Sequence, residues 1–356
     1  MSRMMIMAGG TGGHVIPALA VARELMGRGV DVSWIGTPQG LESRLVPEAG
    51  IEFDAIDIKG LRKSGWLRML TMPFMLAKAM LQTRGLVRKR NPDAILGMGG
   101  FVSGPGGLVA AARGVPLVLH EQNSAAGLTN KWLAKLTRHV LTGFPVARGI
   151  KNGRWVGNPV SREISKLSPP GERLAQRRGR LRILVVGGSQ GAMIFNQKLP
   201  ELLDPKLLGE LEVWHQCGKQ GDSSIETAYS DRGVVATVAP FIDDMAAAYA
   251  WCDFAICRAG AMTVSELCAA GVAALLVPYP FAVNDHQALN AGFMLDQGAA
   301  LMVRQEAFIA GGWREEVAGL NRDRQSLIKM SQAARQLARP DAALDVADIC
   351  EEVMNA

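Results

Sequence analysis

A short apolar run, a glycine-rich turn and a helical stretch occur in series twice in this chain. The first is RMMIMAGGTGGHVIPALAVARELMG, in which four of residues 9–13 are glycine, and the second is LRILVVGGSQGAMIFNQKLP, from residue 181. A buried parallel strand turning tightly into a helix opens a βαβ unit. The alternation continues through VDVSWIGT, DAILGMGG and VPLVLHEQN in the first half, and through VVATVAPF, WCDFAICRAG and AALLVPYP in the second. The expected fold class is α/β, with two Rossmann-like, doubly wound domains facing each other across a cleft. At 356 residues the chain is long enough for two cores. The stretch 156–179 carries Pro169, Pro170 and five Lys/Arg, which marks a linker near 161–180. The domains are placed at 1–162 and 163–340, with a helix at 341–356 returning to the first.

Lys and Arg outnumber Asp and Glu by 39 to 33, a formal charge of +6 that favours acidic partners. No aromatic-studded RNA motif accompanies this charge, so nucleic acid is not expected. The five cysteines, Cys217, Cys252, Cys257, Cys268 and Cys350, are odd in number and lack CxxC spacing, as expected of buried free thiols in a reducing compartment. The strand-like MMIMAGG begins within a few residues of the N-terminus and no signal peptide precedes it, so a cytoplasmic protein is expected. The uncharged runs 94–112 and 267–284 are broken by glycine and proline and do not read as membrane spans.

Backbone N–H groups at a helix N-terminus attract anions, and glycine lets an anion approach them, so GGTGGH and GGSQGA are candidate phosphate cradles; tight strand-to-helix turns are the alternative. Neither loop fits GxGxxG, because Val15 stands where the third glycine belongs, and Gly36-Thr37 replaces a ribose-binding carboxylate after the second strand. No GxxxxGK[ST] and no Asp-x-Asp occurs, which disfavours P-loop hydrolysis and a simple diphosphate-metal site. His14 stands where a helix begins, and imidazole, with an ordinary pKa near ~6.5, is suited to serve as a base or to contact an anion. HEQNSAAG (120–127) gathers an imidazole, a carboxylate and two amides after a strand, where open α/β sheets bind ligands. In RAGAMTVSELCAAG (258–271), Glu266 can accept ribose hydroxyls, although Thr263-x-x-Glu266 also fits a capping box that would commit the carboxylate to backbone. Residues 59–90 hold nine Lys/Arg and no acid around WLRMLTMPFMLAKAML. Trp66, Leu67, Leu70, Phe74 and Met75 with these cations suit an anionic membrane surface, a buried core stripe being the alternative.

In this order, GGTGGH, GMGGFVSGPGG, HEQN, NKWLAK, VGNP, VVGGSQGA, FIDDMAAAYAW and TVSE resemble the MurG glycosyltransferase family from residue 7 to about residue 350. The resemblance implies a GT-B fold and inverting transfer of N-acetylglucosamine from UDP-GlcNAc to the C4 hydroxyl of MurNAc in lipid I. Lipid II and UDP would be the products, made at the cytoplasmic face of the bacterial inner membrane by a peripheral protein needing no cofactor or metal. It implies Ser189 near the donor, the backbone at Ile242 on uracil, Glu266 on ribose, and Ala261, Met262, Thr263, Val264 and Ser265 along the phosphates and sugar. Gln287 would contact the sugar hydroxyls, though His286 and Ala288 flank it where the family often has a second glutamine. Arg162 would meet the diphosphate, one position later than the family's VGNPVR would have it because Ser161 intervenes. Thr11, Gly12, Gly13 and Asn123 would reach into the cleft, the first glycine loop receiving either the diphosphate of lipid I or part of the donor. His14 is preferred over Glu121 as catalytic base, because the carboxylate would need burial to raise its pKa. Two rivals are a UDP-GlcNAc 2-epimerase of the same fold and a non-catalytic membrane-surface adaptor that binds a nucleotide sugar.

Overall fold

The computed structural model describes residues 1–58, 66–188, 191–219, 221 and 223–356, with 66–72 described by backbone alone. The chain forms two units, Met1–Pro159 with Asp341–Ala356, and Val160–Pro340.

Among the described residues the first unit holds seven strands: β1 (Arg3–Met7), β2 (Asp31–Gly36), β3 (Glu52–Ala55), β4 (Ala94–Gly97), β5 (Leu117–Glu121), β6 (His139–Thr142) and β7 (Arg154–Trp155). They lie in the order β3-β2-β1-β4-β5-β6-β7, every pairing parallel. The two-residue period of a strand explains why its central strands are apolar without a break. Met4 and Ile6 of β1 enter the core on one face, and Met5 and Met7 enter the core on the other.

In the second unit, β8 (Leu181–Val186), β9 (Leu211–Gln216), β10 (Val235–Ala239), β11 (Phe254–Cys257), β12 (Ala273–Leu276) and β13 (Ala300–Met302) form a parallel sheet ordered β10-β9-β8-β11-β12-β13. In each sheet the order reverses beside the strand that precedes a glycine loop, between β1 and β4 and between β8 and β11. Doubly wound sheets open a crevice for ligands at such a switch point.

Two expectations are corrected. The unit boundary lies at 159/160, ahead of the expected 162/163 division. The stretch 161–180 is a packed part of the second unit and no linker: helices Arg162–Ser165 and Pro170–Ala175 lie there. Arg173 and Arg177 cap helix ends, Arg173 donating to the Ala270 and Gly271 carbonyls at 2.8 Å each and Arg177 to the Trp251 carbonyl and, at 2.6 Å, to the Ala250 carbonyl. The first helix runs Gly12–Gly27, starting among the glycines and ahead of Pro17, whose missing N–H falls opposite the Gly13 carbonyl.

Helix Ala342–Met354 packs on helix Gly12–Gly27, adding Val346, Ala347, Ile349, Cys350 and Val353 to the core of the first unit. Arg28 joins the two helices through Asp348 (2.6 Å) and Glu351 (2.7 Å). All five cysteines are buried and free. Among the described residues no helix is long and apolar enough to cross a membrane.

Candidate active site

The first glycine loop is shaped from beneath by a buried carboxylate. Glu42 is fully buried and accepts the Thr37 N–H (2.9 Å), the Thr37 hydroxyl (2.8 Å) and the Gly10 N–H (3.1 Å). A Cβ at Gly9 would stand 2.6 Å from a Glu42 oxygen and one at Gly40 2.2 Å, so glycine is what makes room for it. Gly10, at φ 98°, turns the chain upward and commits its N–H to Glu42. The helix then closes on the Thr11 carbonyl, which accepts from His14 (3.0 Å) and Val15 (3.2 Å). Thr11 is the N-cap but makes no side-chain capping bond. The donors of the helix start at Gly12 and Gly13, with the Thr11 hydroxyl, remain for an anion.

His14 projects from this helix to Gln122, with His14 Nδ1 2.9 Å from Gln122 Oε1. Gln122 lies just beyond β5, and its Nε2 is 2.9 Å from the Met98 carbonyl and 3.2 Å from His120 Nδ1. Gly99 gives the imidazole space, since a Cβ there would approach His14 Nδ1 to 2.8 Å. Glu121 is differently placed. One oxygen accepts from the Asn123 N–H (3.0 Å) and Asn123 Nδ2 (3.2 Å), the other from the Gly127 N–H (3.1 Å) and Asn130 Nδ2 (2.9 Å). Four donors on a carboxylate 2% exposed make it the tie of the 121–130 loop. Asn123 is drawn into that tie.

In the second unit, the loop after β8 passes close to the end of β9: a Cβ on Gly191 would meet the Cys217 carbonyl at 2.4 Å. Ser189 lies outside the described residues. Helix Ala261–Ala270 starts after the N-cap Gly260 at the end of β11, so Ala261, Met262 and Thr263 form its first turn beside the switch point. Thr263 is inside the helix and Glu266 accepts from the Tyr249 hydroxyl at 3.0 Å, so the capping-box alternative does not hold. Burial raises Glu266 to about 7, against the lowering effect of the Tyr249 bond. Val264 is buried and Ser265 turns its hydroxyl onto the Ala261 carbonyl (2.9 Å). Ile242 is buried. Gln287 accepts the Tyr279 N–H at 2.8 Å, and Arg162 is exposed on its one-turn helix.

Sequence reasoning passed over Glu42, Tyr249 and Arg258, and read Gln122 only as one of the two amides of HEQNSAAG. Arg258, 8% exposed, donates to the Val277 (3.1 Å) and Pro278 (3.3 Å) carbonyls and to Gln305 (2.7 Å), bracing the ends of β11 and β12. Burial lowers it to about 10. Its position directly after an apolar strand and two residues before a glycine was the available signal. Glu42 and Tyr249 carried none, because the contacts that tie them to the site, with Gly10 and Glu266, cross 32 and 17 positions.

Residues 4–142 match the glycosyltransferase family 28 N-terminal domain, and residues 182–346 match the C-terminal domain of the same family. The UDP-N-acetylglucosamine--N-acetylmuramyl-(pentapeptide) pyrophosphoryl-undecaprenol N-acetylglucosamine transferase of Marinobacter nauticus is 48% identical over 357 aligned residues, covering 99% of this chain and 98% of that protein. The crystal structure of Acinetobacter baumannii MurG superposes with a TM-score of 0.87 at 40% identity, covering 99% of this chain and 100% of that one. The chain belongs to the MurG family. Its fold is therefore GT-B. The UDP-GlcNAc 2-epimerase from Neisseria meningitidis, at TM-score 0.67 and 13% identity over 99% of this chain and 100% of that one, shares the fold alone with this MurG-family chain.

Of the residues read as membrane-docking, the side chains of Trp66, Leu67 and Leu70 lie outside the described set. Phe74 is 78% exposed on helix Trp66–Arg90. It lines, with Met75, a cavity of about 820 Å³ that reaches Gly10, Thr37, Lys78 and Phe101. Helix Trp66–Arg90 and the first glycine loop of this MurG-family chain thus share one cavity.

Proposed function

We propose that this chain is the hexosyltransferase that moves N-acetylglucosamine from UDP-GlcNAc to the C4 hydroxyl of MurNAc in undecaprenyl-pyrophosphoryl-MurNAc-pentapeptide, lipid I, giving lipid II and UDP for peptidoglycan. The observation that carries this reading is near-half identity, along almost the whole length of both chains, to a transferase named for that reaction. The epimerase from Neisseria meningitidis shares the fold at 13% identity, too little to carry its activity across.

His14 acts as base on the C4 hydroxyl. Its Nε2 has no partner among the described residues, whereas both Glu121 oxygens are occupied. As the hydroxyl oxygen attacks the anomeric carbon from the face opposite UDP, the bond from that carbon to the UDP oxygen breaks, inverting the centre to a β-1,4 link. The proton passes to His14 and the electron pair leaves with UDP. Charge on the departing diphosphate is met by the N–H groups at the start of helix Ala261–Ala270 and by Arg162, preorganised donors of the kind that stabilise developing charge well. Glu266 accepts the ribose hydroxyls, the backbone at Ile242 meets uracil, Ser189 lies near the donor, and Gln287 turns from the Tyr279 N–H to the sugar. Thr11, Gly12, Gly13 and Asn123 receive the diphosphate of lipid I or part of the donor. Trp66, Leu67, Leu70, Phe74 and Met75 dock the protein on the anionic cytoplasmic face of the inner membrane, where its acceptor resides.

Release of UDP from UDP-GlcNAc, measured with and without a lipid I analogue in EDTA, tests the reading. Acceptor-dependent UDP and a β-1,4-linked disaccharide are expected. UDP-ManNAc formed without acceptor would establish the epimerase, and binding without turnover the adaptor.

A further inference from the structure

His14, Gln122 and His120 form a chain of hydrogen bonds whose direction is set from its far end. His120 is fully buried, with Nε2 2.9 Å from the Gly157 carbonyl. A carbonyl only accepts, so Nε2 carries the hydrogen, and burial, which lowers His120 to about 4, keeps the ring neutral. Nδ1 is then a lone pair, and Gln122 Nε2 directs one hydrogen at His120, shared between that lone pair at 3.2 Å and the His120 carbonyl at 3.3 Å. The same nitrogen donates to the Met98 carbonyl at 2.9 Å. A flipped amide would set oxygen against oxygen at Met98 and oxygen against a lone pair at His120, which fixes its orientation. Gln122 Oε1 therefore faces His14 Nδ1 and, having no hydrogen to give, accepts one. In neutral His14 the lone pair is left on Nε2.

We propose that Gln122, aligned by His120, is a positioning residue that holds His14 in the Nδ1–H tautomer and so presents Nε2 as the base toward the acceptor hydroxyl. This rests on His14 being the base. The arrangement also survives the reaction: imidazolium still donates from Nδ1 to Gln122, so proton uptake at Nε2 needs no rearrangement behind the ring. Glu42 is bonded to Gly10 ahead of His14, Glu121 and His120 stand on β5, Arg23 and Glu24 lie on the helix of His14 two turns further on, and Asp345, Asp348, Glu351 and Glu352 lie on the helix packed against it. Glu121 is held by four donors and His120 is neutral, so the amide is what orients the ring.

The test is a ¹⁵N–¹H correlation spectrum of histidine-labelled protein at pH 8, with the His14 signals assigned by their loss in His14→Gln. A pyrrole-type Nδ1 and a pyridine-type Nε2 are expected for His14. In Gln122→Met, of similar length, the ring should shift toward the Nε2–H form, and kcat should fall about tenfold with KM for UDP-GlcNAc changed less than about twofold. A His14 ring found as Nε2–H in the unmodified protein overturns the relay whatever His14 does, and needs no variant to fold. An unchanged kcat in Gln122→Met, despite a shifted tautomer, overturns the positioning role. Full activity in His14→Gln, with the Nδ1–H ring present in the parent, overturns instead the assignment of His14 as base.

Discussion

In the ribose site proposed above, Glu266 would link ligand binding to pH. Its carboxyl is lifted to about 7 from an ordinary 4.5, with burial as the largest cause. Accepting two ribose hydroxyls requires the charged form, so UDP binding below that pH must expel a proton. Affinity for UDP is expected to fall as pH drops through 7, approaching about tenfold per unit. The stability sign follows from the same shift: the folded pKa lies above the unfolded one, so the contribution is fully present below 4.5 and is lost as pH rises through about 7. Glu266→Gln should raise the UDP Kd about 10- to 100-fold, as for hydrogen bonds to a charged group, and flatten the pH dependence. Titration calorimetry of UDP at pH 6 and pH 8 checks both. Equal Kd values at the two pH values in the unmodified protein would remove Glu266 from the ribose site. Glu121 teaches the converse: a carboxylate in a motif that looks catalytic is fully engaged in holding its own loop.

At the scale of elements, the glycine-loop helix depends on a partner from the other end of the chain. Helix Ala342–Met354 covers one side of helix Gly12–Gly27, and Val346 is completely buried between them and the sheet. Val346→Ala should cost about 2 kcal/mol, the removed methyl groups plus the cavity they leave. Because that helix sets the position of His14, transferase activity should decline at temperatures where the native protein is still fully active. Urea unfolding with an activity-against-temperature curve measures both; an unchanged midpoint would show that the contact contributes nothing. The helix was legible as a helix after Pro340, but its docking depends on packing between residues more than 300 positions apart, as in the Arg28 bonds to Asp348 and Glu351. The mistaken linker at 161–180 has a related cause. Prolines and a run of cations read locally as solvated chain, whereas here the cations meet helix-end carbonyls.

For the molecule as a whole, a formal charge of +6 and the exposed Phe74 favour a bilayer surface carrying anionic lipid. Replacing Trp66 and Phe74 together by serine is expected to weaken sedimentation with anionic vesicles, and rising salt should weaken it in the parent by screening. Vesicle binding unaffected by either change would assign the segment to the core. What the sequence determined by itself was local: two apolar strands turning through glycines into helices, the parallel α/β class that follows, and His14, the HEQN segment and Glu266 as groups of the right chemistry near strand ends. Period-two and helical patterns, and the room that glycine leaves, are written in neighbouring residues. Only the tertiary structure decided that Glu42 lies beneath Gly9 and Gly10, that Tyr249 rather than a backbone N–H meets Glu266, and that Gln122 faces His14 across 108 positions. The Glu42 and Gln122 pairings depend on β1 lying between β2 and β4, with β5 beyond β4, and the Tyr249 pairing on the helices either side of β11, an order set by crossovers and two-faced burial that no short stretch of sequence specifies.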